Sequence, residues 1–171
     1  KKILLIDADI RHPSILGLLG VDPETLDIKE STDEYRIAYL SDMKISVLIP
    51  TVDENNSEQF FRTDNVRKNF AELKKKFDYI LVDTPPCGLI SDAMYIAQCA
   101  DAAIYVVHQD AVRISRIKSS LDNLMSTDIT ILGCVLNGTA KGLSGYGYGY
   151  GYGYGYGYGY GFEAENKQDN K

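Results

Sequence analysis

The sequence predicts an α/β fold, a mostly parallel sheet with flanking helices. Three observations predict it. Ile3-Leu4-Leu5-Ile6-Asp7 is an uninterrupted apolar run that ends in an acid, the pattern of a strand buried on both faces. Tyr79-Ile80-Leu81-Val82-Asp83 repeats the pattern. Around these runs, strand-like and helix-like segments alternate along the chain. Open sheets of this class bind ligands at the carboxyl ends of their strands, so Asp7, Asp9 and Asp83 are expected at one edge. An acid at a strand end can simply start a turn. Two such ends, one continuing as Asp7-Ala8-Asp9-Ile10-Arg11 and the other as Asp83-Thr84-Pro85-Pro86, favour a site for a divalent cation and a phosphate-bearing substrate.

Size and composition bound the rest. The 171 residues suffice for one domain with a real core, and 44% of them are hydrophobic. A net charge of −6 argues against a nucleic-acid-binding surface. Cys87, Cys99 and Cys134 lack metal-ligand spacing and are expected to be buried thiols in a reducing compartment. No apolar run approaches the roughly 20 residues that span a bilayer, and no signal peptide is visible, which predicts a cytoplasmic protein held at the membrane through a partner. The chain opens on a lysine with its first strand almost at once, and we expect it to be a fragment of a longer protein.

In order, Lys2–Ile6 is the first expected strand. Ser14–Gly20 follows as a short helix with a serine cap and a glycine stop. Residues 21–44 show a weak helical pattern in Tyr35, Tyr39 and Leu40. Ile45–Ile49 is a strand ended by Pro50, and a polar loop from Thr51 to Ser57 comes next. The clearest helix is 64–77, where Asp64 can cap and Val66, Phe70, Leu73 and Phe77 recur at helical spacing. Lys74, Lys75 and Lys76 suit its C-terminal end, with phosphate binding as the lesser reading. After the Tyr79–Asp83 strand come a helix from Ser91-Asp92 to about Cys99, a strand at Ala102–Val107, a helix marked by Ile114, Ile117, Leu121 and Leu124, and a last strand at Ile129–Leu136 that ends at Asn137-Gly138.

From Gly142 the chemistry changes, and the expected division is 1–138 as the folded part and 139–171 as a flexible tail. The tail carries a strict Gly-Tyr alternation with eight tyrosines: Tyr146, Tyr148, Tyr150, Tyr152, Tyr154, Tyr156, Tyr158 and Tyr160. Glycine at every second position makes ordering costly, and no aliphatic residue is present to build a core. The plain reading is a low-complexity tail that makes aromatic contacts. The functional reading is a row of phosphorylation sites.

Ile-Leu-Leu-Ile-Asp-Ala-Asp-Ile-Arg resembles the Walker A′ motif of bacterial tyrosine kinases (BY-kinases), and Ile-Leu-Val-Asp-Thr-Pro-Pro resembles their Walker B motif. The Tyr-Gly run is similar to the tyrosine cluster that ends these kinases. They belong to the deviant P-loop ATPases, with the Min and Par ATPases as relatives that share both Walker motifs. The tail is what points to the kinase branch. The resemblance implies an ATP- and Mg²⁺-dependent protein-tyrosine kinase that autophosphorylates its terminal tyrosines and regulates capsular and extracellular polysaccharide synthesis and export. It implies a ring-like homo-oligomer, a transmembrane activator or polysaccharide co-polymerase, a cognate phosphotyrosine phosphatase, and no nucleic acid.

The resemblance also implies roles. Asp83 would hold Mg²⁺ together with Asp7, Asp7 would accept or orient the tyrosine proton, and Asp9 would support the metal shell or phosphate geometry. Arg11 would hold phosphate or pair with an acid. Asn137, closing a strand, would contact the adenine base. Asn56–Phe61 is similar to a family loop that usually carries prolines, absent here. The family's Gly-rich loop with its lysine, and the central strand before it, lie ahead of Walker A′ and are not found in this sequence. The chain by itself is therefore expected to bind ATP poorly and to be inactive. The rivals are a Min- or Par-like positioning ATPase and a non-catalytic phosphorylatable scaffold.

Overall fold

The computed structural model describes residues 1–51, 64–88 and 91–139. The elements run β1 (Ile3–Asp7), α1 (Ile15–Leu18), a 3₁₀ turn (Pro23–Thr25), β2 (Ile28–Ser31), β3 (Tyr35–Leu40), β4 (Ile45–Pro50), α2 (Asp64–Lys76), β5 (Tyr79–Asp83), α3 (Asp92–Ala97), β6 (Ala102–His108), α4 (Ile114–Met125) and β7 (Thr130–Asn137). The strands form a five-stranded sheet of order β2-β3-β4-β1-β5 and a two-stranded sheet of β6 and β7. β1 is parallel to both β4 and β5, and β6 is parallel to β7. The expected α/β architecture is present, with a mostly parallel pairing pattern.

One segment departs from expectation. Residues 21–44 hold no α-helix; they supply the antiparallel strands β2 and β3, and β3 pairs antiparallel with β4. Tyr35, Tyr39 and Leu40 mimic a helical spacing, but Tyr35, Ile37 and Leu40 are buried while Arg36 and Tyr39 are exposed, which is close to a strand's period of two. The local turn chemistry decides it. Thr32 Oγ1 accepts from the Tyr35 and Glu34 amides at 3.0 and 3.2 Å and closes the turn between β2 and β3. At the next turn Lys44 takes a left-handed φ of 57°, which reverses the chain into β4.

The core lies between the five-stranded sheet and α2. Leu4, Ile6, Ile37 and Leu48 meet Val66, Phe70 and Leu73 there, with Ile96 of α3 alongside. The expected periodicity of α2 is realised: Val66, Phe70 and Leu73 are buried and Phe77 packs at the margin. Its lysines take ion-pair partners, Lys74 with Asp101, Lys75 with Glu72 and Lys76 with Glu30, as a solvated helix end does. The cysteines correct the expectation of buried thiols: Cys87 and Cys99 are half-buried and Cys134 is exposed.

The opposite face is bare. Tyr79 and Leu81 on β5 are each 57% exposed, and Ile104 and Val106 on β6 are each 60% exposed. β5 has β1 on one side and no strand on the other among the described residues, and β6 has β7 alone. The same bareness reaches β7, where Val135 and Leu136 are exposed. No helix among the described residues is long and apolar enough to cross a membrane.

Candidate functional site

The parallel register sets Asp7 directly opposite Asp83, each the last residue of its strand. The Ala8 amide donates to the Asp83 carbonyl at 2.8 Å, extending the ladder one step past both acids. Neighbouring strands lie about 4.8 Å apart, so this pairing holds two carboxylates on one small patch of the sheet edge.

Asp7 is buried and works as the cap of α1. Its Oδ2 accepts from the Ser14 and Ile15 amides at 2.8 and 2.9 Å, and its Oδ1 accepts from the Asp9 amide at 3.3 Å. Ser14 occupies the N-cap position, yet its hydroxyl makes no capping bond; the capping oxygen comes from β1. A carboxylate has about four lone-pair sites, and Asp7 thus keeps capacity on Oδ1. Asp9 is also buried, and its Oδ1 accepts from the His12 amide at 3.1 Å, which folds the segment after β1 into a tight turn.

Asp83 is the exposed member of the group. Loss of solvation around its carboxyl raises its pKa above the ordinary 3.8, the negative charges of Asp7 and Asp9 raise it further, and a bond from the Thr84 amide partly offsets them. The Asp83 carboxyl, crowded by two further acids, is a donor group whose charge a divalent cation would relieve. No group of three or more His, Cys, Asp or Glu among the described residues is arranged to hold a metal ion. An ion here would take its remaining ligands from water and phosphate oxygens, the usual habit of Mg²⁺.

Arg11 follows two residues after Asp9, and its Nη1 donates to Asp92 Oδ2 at 2.9 Å. Asp92, at the start of α3, is almost fully buried. Sequence reasoning saw Asp92 as a helix opener and missed this contact, because a pairing across 81 residues leaves no local signal. Asn137 stands apart. It closes β7 opposite His108 in the two-stranded sheet, is exposed, and turns its Oδ1 onto the Gly138 amide at 2.8 Å. The structure thus gathers Asp7, Asp9 and Asp83, turns Arg11 to Asp92, and leaves Asn137 on a separate sheet. The Asn56–Phe61 loop and the eight tail tyrosines, Tyr146 to Tyr160, lie outside the described residues.

The segment after Asp83 is fixed from a second side. A Cβ on Gly88 would lie 2.7 Å from Ser120 Oγ, so this loop approaches α4 closely at the glycine. Ser120 is buried there.

No family model matches the chain. It is 30% identical over 146 residues to the tyrosine-protein kinase CpsD of Streptococcus pneumoniae serotype 4, covering 80% of this chain and 62% of that protein. It is 27% identical over 155 residues to the CpsD of Streptococcus agalactiae serotype Ia, covering 85% of this chain and 65% of that protein. The chain therefore spans a little under two thirds of the length of these relatives. Its fold matches the kinase domain of the Escherichia coli tyrosine kinase ETK with a TM-score of 0.69 at 23% identity, over 87% of this chain and 60% of that domain.

Proposed function

We propose, on the premise that this chain belongs with the bacterial tyrosine kinases, that it is the greater part of the catalytic domain of an ATP-dependent protein-tyrosine kinase. The protein it comes from would autophosphorylate its C-terminal tyrosine cluster and regulate capsular or extracellular polysaccharide synthesis and export. The observation that carries this is the register pairing of Asp7 with Asp83, with Asp9 crowding the same edge.

In this reading the chain's own residues do the following. Asp83 would hold Mg²⁺, with Asp7 reaching it through water and Asp9 supporting their geometry. The lone-pair capacity left on Asp7 Oδ1 receives the phenol proton as the tyrosine oxygen attacks. A phenol with a pKa of about 10 is a weak nucleophile at neutral pH, so a fixed carboxylate contributes directly to the rate. The bound metal would neutralise charge on the transferring phosphoryl group. Asn137 would contact the adenine from the neighbouring sheet.

The bare apolar positions on β5 support a further part of the reading. A parallel strand with a Gly-rich phosphate loop at its end would pair the edge of β5 that is free among the described residues and cover Leu81. The partners are those of the family: further copies of the kinase in a ring, a transmembrane activator that brings it to the membrane, and a phosphotyrosine phosphatase. Were the 34 residues from Gly138 to Lys171 to behave as a flexible coil, they would span about 30–35 Å, enough to reach a neighbouring subunit. Eight phosphates would add roughly −12 to −16 in charge, which favours dispersal of the ring.

The test is phosphotyrosine formation by the complete protein with ATP and Mg²⁺, mapped by mass spectrometry. Asp7→Asn is expected to slow it by about 10²–10⁴-fold, the usual worth of a positioned base. The 171-residue chain alone is expected not to bind ATP stoichiometrically. ATP hydrolysis without tyrosine phosphate would instead indicate a positioning ATPase. Labelling of the tail only when another kinase is added would indicate a scaffold.

A further inference from the structure

Arg11 and Asp92 form an ion pair that stability alone does not explain. Asp92 is 1% exposed, its Oδ2 meets Arg11 Nη1 at 2.9 Å, and the Arg11 side chain is 26% exposed. The second oxygen, Asp92 Oδ1, is buried and has no hydrogen-bond partner among the described residues. A desolvated carboxylate with one oxygen unmatched gains little over a well-packed apolar pair. The pair's contribution is geometric.

Two segments leave the acid-bearing edge. One follows β1 and carries Asp9 and Arg11; the other follows β5 and leads from Asp83 into α3. They are tied at their roots by the Ala8 amide on the Asp83 carbonyl at 2.8 Å. They are tied again at their far ends by Arg11 on Asp92. Asp9 lies between the two ties, and Asp7 and Asp83 lie directly behind the first. Asp92 is a firm anchor because Ala93, Ile96 and Ala97 bury the rest of α3 beneath it. The planar guanidinium presents its donors in a fixed fork, which limits how far the first segment can drift.

We infer that Arg11 and Asp92 form a latch. In this role Arg11 is a positioning residue that acts through Asp92 to hold the Asp7–Asp9 segment against Asp83, and it is not a phosphate ligand. The catalytic consequence rests on the kinase reading above; the structural content does not.

Amide exchange followed by NMR on the 171-residue chain tests the latch without ATP. The reporters are His12, whose amide donates to Asp9, and Ser14 and Ile15, whose amides donate to Asp7. In Arg11→Met and in Asp92→Ala these three amides are expected to exchange at least tenfold faster than the loss of global stability accounts for, that loss being read from Leu4 and Val47 in the strands. The double variant is expected to be no faster than either single one, since each opens the same latch. Arg11→Lys should restore most of the protection. Should Arg11→Met fail to fold because it strands a buried charge, Asp92→Ala and the double variant, which leave none, carry the measurement. Unchanged rates at His12, Ser14 and Ile15, or effects that multiply in the double variant, would overturn the latch.

The complete kinase gives the second readout. Loss of either partner is expected to lower kcat at least tenfold with the KM for ATP within about twofold. A phosphate-binding Arg11 would instead raise that KM in Arg11→Met and leave Asp92→Ala near wild type. If the wild-type protein forms no phosphotyrosine, the kinase reading fails, and the exchange rates still decide the latch.

Discussion

Asp83 carries a pH signature that follows from its neighbours. Its pKa is raised in the folded chain, chiefly by lost solvation and then by Asp7 and Asp9. A group raised in this way contributes stability that is fully present below its unfolded pKa, near 3.8, and is lost as pH climbs through the folded value. Asp83→Asn removes that loss. It should raise the melting temperature at pH 7, leave it unchanged at pH 3, and abolish phosphotyrosine formation in the complete protein. A lower melting temperature at pH 7 would mean that the three carboxylates do not repel one another. Arg11→Met should cost about 3 kcal/mol by denaturant unfolding, the low end for breaking a buried pair, because it leaves Asp92 charged and unmatched. Gly88→Ala belongs at this scale too. Its new methyl would press on Ser120 Oγ at 2.7 Å, and turning that hydroxyl to another rotamer should hold the cost to about 1 kcal/mol. Ser120→Ala in the same chain removes the clashing oxygen and should recover most of the loss; no recovery would mean that the backbone, and not the hydroxyl, sets the fit.

Among the elements, α2 binds the sheet and its two faces differ in worth. Leu73 is 1% exposed in the core. Leu73→Ala is expected to cost about 2–5 kcal/mol through lost burial and a residual cavity. Lys74 lies on the other face in an exposed pair with Asp101. Lys74→Ala should change stability by less than about 1 kcal/mol, since such pairs are screened by water and salt. Equal effects from the two variants in urea would show that α2 is held by charge and not by packing. The contrast also explains what the sequence revealed of this helix. Apolar residues at spacings of four and three mark a buried stripe whatever the stripe packs on. The 21–44 segment had no such clarity. Its strands β2 and β3 are short, one of them mostly exposed, and the turn bonded by Thr32 decides their pairing.

Across the whole molecule, the exposed apolar residues Tyr79 and Leu81 on β5 and Ile104 and Val106 on β6 stand out among the described residues. Exposed apolar strands with unpaired edges promote self-association. The 171-residue chain is expected to associate at micromolar concentration in sedimentation velocity, and Leu81→Thr with Val106→Thr should reduce that association without lowering the unfolding midpoint by more than a few tenths of its denaturant range. A monomeric wild-type chain would mean that these residues are already covered. Much of this protein was determined by sequence alone: the α/β class, the position of β1 and β5, the stripe of α2 and the placing of Asp7, Asp9 and Asp83 at one edge. Local patterns determine those because apolar runs and helical stripes encode burial directly, and a strand fixes where its last residue must lie. The tertiary structure alone decided the rest. It set Asp7 opposite Asp83 in register, made Asp7 and not Ser14 the cap of α1, turned residues 28–40 into a hairpin, and joined Arg11 to a buried Asp92. Each of these depends on groups far apart in the chain meeting at hydrogen-bond distance, and no spacing along the sequence carries that information.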